Sequence, residues 1–176
     1  MKTKFLLLPF VALAGIIVTA FEFSASAAAE EIHSPVMMRR TYIPEHMNYS
    51  DAEKLLLAVR RGDTVLLRQM LMNGVSVNSR AALGRTALQW AASCGQEACV
   101  KVLLSAPGVD VNAADVDGYT PLAAAAAQGH VGCLRLLLSA PGVQVNKASV
   151  LGTPLALARF HGHTACVKLL LAAGAR

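Results

Sequence analysis

Gly118-Tyr-Thr-Pro-Leu-Ala-Ala-Ala-Ala-Ala-Gln-Gly129, followed at once by His130, is the stretch on which the reading of this chain turns. Pro121 belongs at a first helical turn, where its missing N–H costs nothing. The alanines after it give a surface small enough for a second helix to approach closely. Gly129 then supplies the left-handed backbone that stops a helix.

Working outward, the same pattern recurs at a fixed period. Gly84-Arg-Thr-Ala-Leu-Gln-Trp-Ala-Ala-Ser-Cys-Gly95 precedes it, and Gly152-Thr-Pro-Leu-Ala-Leu-Ala-Arg-Phe-His-Gly162 follows it. Gly62, Gly95, Gly129 and Gly162 are spaced 33, 34 and 33 apart, and Asn78, Asn112 and Asn146 are spaced 34 and 34. Each unit continues into a Leu-rich second helix, with Cys99, Cys133 and Cys166 at one shared position. A degenerate first unit, Leu55 to Asn78, keeps Gly62 and Gly74-Val-Ser-Val-Asn78 but has no Thr-Pro turn. One such unit cannot bury its Leu face alone, so neighbours must stack.

These residues closely resemble the ankyrin repeat family. The likeness rests on the G-x-T-P-L start (Gly118 to Leu122), the Gly-His joints (Gly129-His130 and Gly162-His163), and the closing G-x-D-V-N (Gly108 to Asn112). It covers residues 51–176 and implies an all-α solenoid of four helix-turn-helix repeats joined by short β-turns. The repeat boundaries fall near 50–81, 82–115, 116–148 and 149–176. Three departures stand out. The histidine that the family commonly places after T-P-L is replaced by Gln89, Ala123 and Ala156, which predicts a lost or weakened network there. An added Pro107 and Pro141 lengthen two loops. The last unit shortens its turn by one residue and ends without D-V-N, so its helices are expected to be the least stable.

The composition is 55% hydrophobic but only 5% aromatic, with 16 basic and 11 acidic residues for a formal charge of +5. Lys2 and Lys4, an uncharged apolar run from Phe5 to Ala20, and small residues up to Ala27 form a secretory signal pattern. Residues 1–27 are therefore expected to be removed, though a retained membrane anchor is the competing reading. Cleavage would leave a soluble, exported protein, periplasmic or secreted, at a net +4. Residues 28–49 lack apolar periodicity and read as a linker or mobile arm. Ser50 and Glu53 then form a capping box just before an apolar run. The basic residues look scattered and do not mark a nucleic-acid face.

Little catalytic chemistry is legible. No G-x-S-x-G elbow and no G-x-x-x-x-G-K loop occurs, so an enzyme is not expected, nor is a cofactor or a bound metal. His161 and His163 have poor spacing for a metal site, and the resemblance assigns His130 and His163 to tying down loops. Cys99, Cys133 and Cys166 sit at equivalent points of stacked helices, about 8–10 Å apart and beyond the roughly 7 Å Cα limit of a disulfide. They read as packing residues. Cys94 is either a free surface thiol or paired with Cys99.

The resemblance also implies where a protein partner would be met, on the turn tips and the inner face of the first helices. In this chain those places hold Arg60 and Arg61, then Leu83, Arg85, Ser93 and Cys94 with Trp90 nearby. Val116, Asp117, Tyr119 and Gln128 follow, then Val150, Phe160 and His161. Arg, Tyr and Trp are common in binding hot spots, while Trp90 reads equally well as core. The leading expectation is a non-enzymatic binding module for a protein partner. Alternatives are a protein that self-associates through its C-terminal end, and a thiol-bearing accessory centred on Cys94.

Overall fold

A computed structural model describes residues 50–176; the expected signal peptide and arm lie outside the described residues. Within 50–176, eight α-helices run in four antiparallel pairs: α1 (Asp51–Arg61), α2 (Thr64–Met72), α3 (Ala87–Ser93), α4 (Glu97–Leu104), α5 (Pro121–Gln128), α6 (Val131–Leu138), α7 (Pro154–Phe160) and α8 (Thr164–Ala172). The first helices α1, α3, α5 and α7 pack in sequence as one layer, and α2, α4, α6 and α8 as the other. This is the all-α repeat solenoid expected from the sequence.

The helix starts follow from their caps. The Ser50 hydroxyl accepts from Glu53 N–H, and the Glu53 carboxylate accepts from Ser50 N–H in return. The Ser50 N–H and then the Ser50 hydroxyl, both donating to that carboxylate, hold the Glu53 carboxyl below its usual range. Thr86, Thr120 and Thr153 cap α3, α5 and α7, each hydroxyl accepting from the backbone three residues on. Such caps contribute about 1 kcal/mol each. Pro121 and Pro154 occupy the first turn, as their fixed φ allows.

The core is a continuous Leu/Ala seam between the layers. Leu55, Leu67, Leu88, Leu103, Leu122, Leu134, Leu137 and Leu170 are fully buried, and α5 contributes the fully buried Ala123, Ala125 and Ala126. Each Leu stabilises the stack by about 1.5–3 kcal/mol. Cys99, Cys133 and Cys166 lie in this seam, completely buried and unbridged. Burial raises all three thiols, and Cys133, which also faces Glu97 and Cys99, is pushed up to about 11. They are packing groups. The possible Cys94–Cys99 bridge is not formed: Cys94 is an exposed free thiol.

Two polar ladders lock successive units together. The Asn78 side chain donates to the Gly108 carbonyl at 2.8 Å and accepts from Asp110 N–H at 2.8 Å. Asn112 repeats this with Gly142 and Gln144, and Asn146 accepts from Arg176 N–H. The 34-residue asparagine spacing thus records a hand-over from each loop to the next, across the segments that Pro107 and Pro141 lengthen. In the second ladder, His130 Nε2 donates to the Ser93 carbonyl and His163 Nε2 to the Ala127 carbonyl, each at 3.0 Å. Both rings tie down a joint.

Candidate partner-binding site

The turns between units are short hairpins whose backbones bond to each other. Arg80 and Thr86 form an isolated β-bridge, as do Ser149 and Gly152. Val116 N–H donates to the Leu83 carbonyl and Val150 N–H to the Asp117 carbonyl. The tips therefore run as an ordered edge, and its apolar side chains point to solvent: Leu83, Val116, Val150 and Leu151 are all exposed, Val150 at 78%. Leu83 is also the only described non-glycine residue with positive φ, at 62°. A leucine in that region costs about 1–2 kcal/mol relative to a relaxed backbone.

Asp115 organises the turn between the second and third units. Its carboxylate accepts from Asp117 N–H at 3.1 Å and Tyr119 N–H at 2.9 Å, and it pairs with Arg85 Nε at 3.2 Å. The Asp115 side chain is only 3% exposed against 39% for Arg85. Arg85 in turn lies over the Trp90 ring, 5.7 Å from its centroid. Gln89 reinforces the same seam: its side chain accepts from Thr86 N–H and donates to the Tyr119 carbonyl. The network expected to be lost when histidine was replaced is thus carried by glutamine in the second unit. Only at Ala123 and Ala156 does it shrink to the threonine cap alone.

Between α3, α5 and α7 these groups frame a groove of about 310 Å³. Arg85, Trp90, Tyr119, Gln128 and His161 line it together, drawn from three units. Burial, then the neighbouring Asp115 and Asp117, raise the Tyr119 phenol and keep it a neutral donor. Trp90 resolves the choice left by the sequence as a division: half-buried, it packs one part against the core and presents the rest to the groove.

The remaining residues singled out from the sequence lie elsewhere. Leu83, Asp117 and Val150 stand on the turn edge, all exposed. Phe160 is 84% exposed beside the groove, its ring edge-on to His161 at 5.1 Å. Arg60 and Arg61 stand exposed on the last turn of α1, outside the groove lining. Sequence reasoning missed Asp115 and Leu151, and read Gln89 as a lost or weakened link. Asp115 could have been found, since an Asp two residues before Asp117 and four before Tyr119 fits a side chain that accepts from its own turn.

No helix among the described residues is long and apolar enough to cross a membrane. Comparison with curated proteins finds no match. The family model for ankyrin repeats, which spans three copies, matches residues 55–149 and 114–176. Ankyrin repeats generally mediate protein–protein interaction and are typically non-enzymatic. With the paired helices, the tip hairpins and the interlocked joints all in register with that match, this chain belongs to the ankyrin repeat family.

Proposed function

We propose that this is an exported binding module that holds a protein partner through the turn edge and the groove behind it. The observation that carries the reading is the convergence of Arg85, Trp90, Tyr119, Gln128 and His161 on one groove, flanked by a row of apolar tips. Exposed Leu83, Val116, Val150, Leu151 and Phe160 gain nothing from folding alone. The positive φ at Leu83 supports the same reading, because backbone strain that holds an apolar side chain in water suggests use of that side chain.

The test must avoid residues that hold the turns. Arg85 is a poor target, since its removal also breaks the ion pair with Asp115 beneath the turn. Val150→Glu, Phe160→Ala and His161→Ala change only exposed side chains. Partner recovered with the wild-type protein from the exported fraction should be lost with the triple variant while the circular dichroism melt stays unchanged. Retention of the partner at wild-type level overturns the assigned surface. Export itself rests on the signal pattern, and N-terminal sequencing of the exported protein should begin at Ala28. An N-terminus at Met1 with the protein held in membranes overturns it.

A further inference from the structure

The glycines that close the first helices form a series. A Cβ placed on Gly62 would stand 3.2 Å from Gln96, one on Gly95 2.7 Å from the His130 ring, and one on Gly129 2.6 Å from the His163 ring. In each case the side chain comes from the next unit and fills the slot beside the glycine. Gly162 is the fourth member, and nothing among the described residues lies within 4 Å of the same point. The carbonyl matching those of Ser93 and Ala127, which accept from the two histidines, is that of Phe160. Beside it a cleft of about 350 Å³ opens between α7 and α8, lined by Ala158, Arg159, Gly162, Thr164, Val167 and Lys168.

Register shows what this face normally does. Ala92 and Ala126 are fully buried where each seats the following unit, and the matching residue here is the exposed Arg159. Val100 and Leu134 are likewise fully buried, whereas Val167 is only half so. An arginine in place of the seating alanine obstructs a plain apolar helix and favours one that carries a carboxylate. The surrounding charge points the same way. Every Asp and Glu of the described residues precedes Gly118, while residues 118–176 hold Arg135, Lys147, Arg159, Lys168 and Arg176 without one acidic side chain. The basic residues are spread along the whole domain, and it is the acidic ones that stop at Asp117.

We propose that the α7–α8 end face is a second docking surface, and that it takes a helix of a protein partner with Asp or Glu to meet Arg159 and Lys168 and a donor side chain beside Gly162. That side chain, an imidazole or an amide, donates to the Phe160 carbonyl as His130 and His163 donate to Ser93 and Ala127. A nucleic acid fits less well, because the cleft floor is Ala158, Gly162 and Val167 with two cations at its rim. A second copy stacked head to tail also fits poorly. The residue matching Gln96, His130 and His163 in the first unit is Asp63, whose carboxylate only accepts and is already engaged by Val65 and Leu66 N–H.

The experiment is an NMR titration of the isotope-labelled chain from Ala28 to Arg176. The probe is a stapled helical peptide with one histidine in its first turn and glutamates one turn apart. The Gly162, Val167 and Lys168 amides should shift saturably while Gly95 and Gly129 stay in place. Arg159→Glu with Lys168→Glu should weaken binding at least about tenfold, as should histidine-to-alanine in the peptide. Equal binding of a peptide with lysines for glutamates overturns the proposal, as do shifts confined to Arg85 and Tyr119. So does stronger binding of duplex DNA or phosphatidylglycerol vesicles at the same amides. A concentration-dependent dimer abolished by Arg159→Glu assigns the face to a second copy instead. A Gly162 shift on deleting residues 28–49 assigns it to the chain's own N-terminal segment.

Discussion

If Asp115 holds the turn between the second and third units, removing its carboxylate should cost more than removing the cation that faces it. Asp115→Ala strips the acceptor from two backbone N–H groups, at 3.1 and 2.9 Å, inside a site where the carboxylate is 3% exposed. Hydrogen bonds to a charged acceptor contribute about 1.5 kcal/mol each at the low end. The ion pair adds less, on the order of 0.5–1 kcal/mol, because the Arg85 side chain is 39% exposed and screened. The loss is therefore about 3.5–4 kcal/mol. Arg85→Ala leaves both N–H bonds intact and gives up the pair and its cation–π contact with Trp90, or about 1–2 kcal/mol in all. A double-mutant cycle from guanidinium unfolding should return a coupling of about 0.5–1 kcal/mol. If Asp115→Ala costs under about 1 kcal/mol, or less than Arg85→Ala, the turn is not held by this carboxylate. Arg85 would then be free to act as a surface residue alone.

The other expectations concern joints, thiols and strain. His163→Ala should cost about 1–2 kcal/mol by stranding the Ala127 carbonyl, and hydrogen exchange should quicken between α7 and α8 before it does at α3; uniform exchange would contradict the joint role. With an aromatic disulfide reagent, the folded protein should expose one fast thiol, Cys94, and release three more only on unfolding; two or more fast thiols refute the buried assignment. A thiol raised in the folded state stabilises fully below its unfolded value and loses that contribution as pH climbs through the folded one. For Cys133, stability should therefore fall between pH 9.0 and about 11, and Cys133→Ala should flatten that slope in urea melts. Leu83→Asn, which tolerates positive φ, should raise stability by about 0.5–1 kcal/mol and weaken partner capture; a destabilised variant would mean that Leu83 is packed and not strained.

Much of the fold was legible because a repeat states its own register. Gly62, Gly95, Gly129 and Gly162 mark four helix ends before any contact is known, and the burial of Cys99, Cys133 and Cys166 follows from their shared position. The site was less legible, since it depends on contacts between units about 30 residues apart. Gln89 looks like a lost histidine when read along the chain, yet across the joint it meets the Tyr119 carbonyl and restores the link. Arg85 looks like a free hot-spot residue until Asp115 from the next turn is placed beside it. Arg60 and Arg61 share the repeat position of groove residues, but no tip hairpin among the described residues stands beside them.

The same dependence on neighbours separates the ends of the stack from its middle. At an interior position, a residue's identity is set by the unit that follows: Ala92 and Ala126 must be small because a helix lies on them, and Gly95 and Gly129 must lack a Cβ because a histidine ring fills that space. At the last unit that constraint lapses among the described residues. A position free to drift would be expected to collect assorted polar residues, as capping repeats need only a soluble face. Instead Arg159 and Lys168 rim an apolar cleft in a segment from which acidic side chains are missing altogether. Solubility is met as well by glutamate as by arginine, so it does not explain a single sign. An acidic counterpart does, and it places the demand on this end face outside the stack.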